Sequence, residues 1–142
     1  MTKQHTTNYT DTFITVAADC PETAGVPPRE TAKPSVALRT FKMLVASPYR
    51  YTSDEVIFEV FADRKGIPKR QRAAARREFF SKGQPCLRAS DLGKRYGWGI
   101  HFDSEGRAAL YGVESSEYRK LAKGQGPDRT QLEVRRAMRS RR

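Results

Sequence analysis

The sequence is poor in the residues that most often give small proteins their chemistry. It has two cysteines and two histidines among 142 residues. Cys20 and Cys86 lie too far apart to frame a disulfide scaffold or a zinc knuckle, and a reducing compartment, the cytoplasm, is the expectation. The histidines and cysteines have no ligand spacing, so no metal and no cofactor is expected. No apolar run approaches the roughly 18 residues of a membrane-spanning helix, so no membrane partner is expected. The opening MTKQHTTNYTD has no apolar stretch, and a secretory signal is not expected either. Phosphate-binding glycine fingerprints are missing. Gly97 and Gly99 are two apart, but the third glycine is absent and a strand follows where a helix should. Acidic residues are also short: 16 Asp and Glu stand against 27 Lys and Arg, a net charge of +11.

Seven Phe, six Tyr and one Trp are enough to seed a core of ordinary size, which excludes wholesale disorder. The length fits one domain over residues 1–142. Charge is distributed unevenly along it. Residues 67–98 carry +7 and residues 129–142 carry +5, while 1–34, 35–66 and 99–128 sum to −1, +1 and −1. The basicity is therefore local, in two segments that a partner could read.

Periodicity predicts the elements. Residues 1–10 read as a loose arm, TFITVA at 12–17 as a first strand, and the proline-rich 21–34 as a loop. Ser35 caps a helix to about Ala46 whose apolar positions cover most of the circumference, so it is expected to be largely buried. Thr52 and Glu55 have capping-box spacing for a second helix ending at Gly66, with Val56, Ile57, Val60 and Phe61 inward and Phe58 flanking. Pro68 opens a third, Arg-rich helix expected to run to Gly83. Ser90 caps a turn at 90–96. Trp98–Phe102 and Arg107–Val113 form a hairpin around Asp103-Ser104-Glu105-Gly106, and Ser115 caps a short helix to Leu121. Over 132–139, Leu132, Val134, Arg136 and Met138 alternate as an edge strand does, although the segment also suits a helix; the strand is preferred. Residues 139–142 are a basic tail expected to be flexible. The expected class is α+β, a small antiparallel sheet of first strand, hairpin and possible tail strand, packed by three to five short helices.

The densest chemistry lies in SKGQPCLRASDLGKRYGWGIH, residues 81–101. Cations interleaved with aromatics suit a partner carrying phosphates and flat rings, so Arg88, Lys94, Arg95, Tyr96 and Trp98 are the candidate contact surface. Arg70, Arg72, Arg76 and Arg77 of the third helix would add attraction for a phosphate backbone, with the tail. The functional expectation is a non-enzymatic binding protein for a polyanion, nucleic acid above all. An enzymatic or small-molecule site is the alternative: Cys86 as nucleophile and His101 as base, with Arg88, would have to line one pocket. A third possibility is a protein-interaction module in which the tail and hairpin edge dock a partner.

Four stretches carry a resemblance: HTTNYTDTFITVAADCP at 5–21, PYRYTSDEVIFEVFADRKGI at 48–67, FFSKGQPCLRASDLGKRYGWGIH at 79–101 and ALYGVESSEYRKL at 109–121. Together they resemble a largely bacterial family of small basic single-domain proteins of unknown function. The likeness runs from His5 nearly to the end of the chain. It implies one cytoplasmic domain, and no catalytic residue or cofactor that could be carried over.

Overall fold

The capping signals place the helices. In the computed structural model, which describes residues 3–140, Ser35 Oγ accepts from Leu38 N and opens α1, Val36–Ala46. Thr52 and Glu55 close the expected capping box on α2, Ser53–Lys65, which Gly66 terminates. Two expectations about these helices are corrected. Helix α1 is not largely buried: Ala37, Leu38, Thr40 and Leu44 face inward, while Val36 and Val45 are half exposed. In α2 Phe58 belongs to the core rather than its flank, because it meets Phe79 and Phe80 of the next element.

That next element is shorter than its composition suggests. A 3₁₀ turn at Lys69–Gln71 leads into α3, Arg72–Phe79, which stops at Phe80 instead of reaching Gly83. It docks on α2 at both ends. Arg72 Nη1 bonds Glu59 Oε2 at 2.5 Å and Nη2 bonds Asp63 Oδ1 at 2.9 Å, while Phe79 and Phe80 pack against Phe58, Phe61 and Ala62. The short α4, Asp91–Lys94, is capped by Ser90 as expected.

The strands are β1, Thr12–Thr15; β2, Trp98–Phe102; β3, Ala108–Gly112; and β4, Glu133–Arg136, with α5, Ser116–Ala122, between β3 and β4. The tail does form a strand. The sheet order is β3-β2-β1-β4. Its first three strands are antiparallel, but β4 lies parallel to β1, so the sheet is mixed rather than antiparallel throughout. The reason is the connection: parallel strands need a crossover, and α5 carries the chain from β3 across the sheet to its far edge. The α+β class stands.

The crossover also explains why both sheet faces are buried. Ile14, Ile100, Phe102 and Ala108 pack with Leu44, Val56 and Val60 of α1 and α2. On the other face Phe13 packs with Tyr118 and Leu121 of α5. Gly99 lies on that second face, and a Cβ there would stand 2.4 Å from Phe13 Cζ, so the Phe13–Tyr118 contact requires glycine.

The N-terminal arm is not loose. Asp54, 7% exposed at the start of α2, accepts from Thr7 N at 2.6 Å, Thr7 Oγ1 at 2.7 Å and Thr6 Oγ1 at 2.8 Å. Asn8 Oδ1 in turn accepts from Asp54 N, and His5 N donates to Phe80 O. Threonines and asparagine in HTTN thus serve as hydrogen-bonding clasps, a role that composition does not distinguish from solvation. Residues 21–34 contain no helix or strand. The flexible tail expected over 139–142 lies outside the described residues from 141 onward; Ser140 N still reaches Asp19 Oδ1 at 3.3 Å.

Replacing Asp54 by Ala strips three donors of their acceptor, one of them a buried backbone N–H. The expected loss is about 3 kcal/mol of unfolding free energy in urea denaturation. An unchanged midpoint would contradict the clasp.

Candidate functional site

The two basic segments of the sequence meet at Arg88. Its guanidinium Nε donates to Arg136 O at 2.9 Å, and Met138 N donates to Arg88 O at 2.9 Å. The 3₁₀ turn Leu87–Ala89 therefore lies along the outer edge of β4, and the tail is held beside Arg88. Arg135 and Arg136 are exposed on β4; Arg135 pairs with Glu133 and its guanidinium lies over the Tyr9 ring.

The four candidate arginines, Arg70 on the 3₁₀ turn and the other three on α3, divide. Arg72 is consumed by Glu59, Asp63 and the Ile67 carbonyl. Arg70, Arg76 and Arg77 are exposed and, among the described residues, in no ion pair. Arg76 lies over the Phe80 ring at 5.8 Å. Burying one arginine in salt bridges while leaving three outside is what a short helix with two apolar anchors does.

Of the two aromatics in the expected contact surface, Trp98 is structural instead. Trp98 Nε1 donates to Val26 O at 2.9 Å, and its ring packs against Phe41 and Gly25. Val26 N in turn donates to Tyr96 O. Gly97 holds φ at 79°, and a Cβ there would lie 2.4 Å from the Ala24 carbonyl oxygen. Glycines and aromatics of YGWG thus fasten the proline-rich loop, and Trp98 is no free stacking platform. Of the remaining candidates, Arg95 is exposed near Asp91 at 3.9 Å, Lys94 is half-buried, and Arg88 is occupied with the tail.

Cys86 and His101 do not converge. Cys86 lines a cleft of about 270 Å³ between α1, α2 and residues 85–91, with its thiol 3.2 Å from Tyr9 OH. His101 follows Ile100 on β2 and so points to the opposite sheet face. There it is 2% exposed, and its Nδ1 is 2.8 Å from Tyr49 OH, which is itself 2.7 Å from Tyr111 OH. The nucleophile–base pair, and the shared pocket with Arg88, are therefore corrected: the sheet stands between them. Burial lowers the His101 pKa below its ordinary value, against the pull of Asp103 and Asp11, and burial together with the Tyr111 hydroxyl raises that of Tyr49.

A model described as "Family of unknown function (DUF6157)" matches residues 4–142. The chain belongs to this family. No curated protein and no solved structure matches it. Among the described residues no group of three or more His, Cys, Asp or Glu could hold a metal ion, and no helix is long and apolar enough to cross a membrane.

Two features escaped the sequence reading. The Asp54 clasp joins positions 46 to 48 residues apart. The Tyr49–His101–Tyr111 chain depends on Tyr49 adopting φ of 59°, which nothing local to Ser47-Pro48-Tyr49 signals.

His101 also sets a pH dependence. Its folded pKa lies below the unfolded value of about 6.5, so between the two the unfolded chain binds more protons and stability rises with pH. This contribution is complete above that unfolded value and is lost as pH falls below it. In urea denaturation across this range, His101→Gln should show a shallower acid loss than the native chain; equal slopes would remove His101 from the account.

Proposed function

We propose that this protein is a non-enzymatic binding protein for a phosphate-rich partner, and that the partner is nucleic acid. The observation that carries the reading is the junction at Arg88, where the segment carrying +7 touches the segment carrying +5. Exposed Arg70, Arg76 and Arg77 lie in the first segment, and exposed Arg135 and Arg136 in the second. A polyanion meeting clustered cations releases condensed counterions, and this release favours binding without base-specific contacts. Arg70 and Arg77, seven residues apart, span about 10 Å of chain at helical rise, enough to address successive phosphates along one strand. The separation of Cys86 from His101 weighs against the enzymatic alternative. With the Trp98 ring committed to the loop, its stacking drops out, and the interaction is one with backbone phosphate.

A phosphate-dominated complex is steeply salt-dependent. Affinity for mixed-sequence duplex should fall by an order of magnitude or more between about 50 and 200 mM salt. The triple variant Arg70→Ala, Arg76→Ala, Arg77→Ala should bind more weakly at all sequences and flatten the slope by about 3 contacts' worth. Fluorescence anisotropy measures both; no binding at low salt, or an unchanged slope in the variant, overturns the reading.

A further inference from the structure

A second site lies on the α5 side of the sheet, away from the basic junction. Tyr49 N donates to Ala108 O at the edge of β3 and holds the residue at φ of 59°, a conformation bulky aromatics rarely adopt. This backbone delivers the Tyr49 hydroxyl over the edge strand to His101 and Tyr111. A pocket of about 270 Å³ opens above Tyr49 and Tyr111, walled by Leu121 and Pro127, with Glu117 and Lys120 among its lining residues.

The hydrogen-bond chain has no fixed direction. The partner of one imidazole nitrogen normally sets the tautomer through the other, but His101 Nε2 is buried and has no partner among the described residues. With the proton on Nε2, Nδ1 accepts from Tyr49, Tyr49 accepts from Tyr111, and a Tyr111 lone pair is left for a donor in the pocket. With the proton on Nδ1, Tyr49 accepts from His101 and donates to Tyr111, whose own O–H is left to donate. The phenols therefore offer either a donor or an acceptor. A hydroxyl group matches the chain in either state, since it too does both; a carboxylate matches only one state and an ammonium only the other, and each would bring an uncompensated charge to the pocket. Exposed Glu117 and Lys120 cancel in charge, and Leu121 and Pro127 suit C–H faces.

We propose that this pocket binds a small neutral polyhydroxylated molecule, of monosaccharide size, through the paired hydroxyls of Tyr49 and Tyr111 backed by His101. The inference is independent of nucleic-acid binding, which uses cations elsewhere. Two-bond proton–nitrogen spectra of the imidazole ring report its tautomer, so His101 can be followed while D-glucose, acetate or ethylammonium is added. Glucose should shift the His101 nitrogens saturably, with a dissociation constant on the order of millimolar as befits a small ligand. Acetate and ethylammonium should produce no saturable shift. Tyr111→Phe should weaken glucose about tenfold or more while keeping the native far-ultraviolet spectrum. No saturable response to glucose, an equal response to either ion, or native-like affinity in folded Tyr111→Phe overturns the proposal. Should that variant fail to fold, the three-probe comparison on the native protein decides alone.

Discussion

One buried carboxylate organises the rest. Asp54 sits at the first turn of α2, where partial positive charge from the helix favours an anion, and it gathers Thr6 and Thr7 from the start of the chain. The arm so held leads directly into β1, and β1 lies inside the sheet between β2 and β4. Register of β1 sets the pairing on both sides: Phe13 opposite His101 in one direction, Val134 in the other. Because successive residues face opposite sheet surfaces, a slip of one position would exchange Phe13 for Ile14 between the two cores. The clasp and the register are thus one constraint seen at its two ends.

Charge is spent in two ways in this molecule. Arg72 and Arg88 are structural cations: one holds α3 against α2, the other borders β4. Their partners are carboxylates and a carbonyl, and both side chains are partly shielded from water. Arg70, Arg76 and Arg77 have no such partners among the described residues and face solvent. An Arg-rich segment therefore presents fewer unpaired cations to solvent than it contains. The structural ones keep the others in place, since α3 has no buried residue of its own over Arg72–Phe79 and rests on the Arg72 pairs and Phe79.

Local signals were legible because their physics is local. Ser35, Thr52, Ser90 and Ser115 cap helices through donors two or three residues away, and the Asp103–Gly106 turn closes within five residues. What the sequence hid is long-range. The parallel pairing of β4 follows from where α5 crosses, and nothing in Glu133–Arg136 encodes its partner. Trp98 reads the same in the sequence whether it faces a nucleotide or the 24–26 loop; only its contacts with Val26 and Gly25 decide. Cys86 and His101 are fifteen residues apart with strand alternation between them, yet whether they converge depended on which face each element buried. The separation of the candidate pair was therefore a tertiary fact.

The contact of Arg88 with β4 has a further consequence where copies of the chain crowd together. At high concentration, open strand edges invite pairing between molecules. Here the outward carbonyl of Arg136 and the amide of Met138 are already engaged by Arg88, as a neighbouring strand would engage them. At the opposite edge the first residue of β3 is occupied in the same manner, since Tyr49 and Tyr51 bond both backbone groups of Ala108. A neighbouring copy then meets, at both edges, backbone groups already satisfied within the chain, which disfavours sheet-to-sheet pairing.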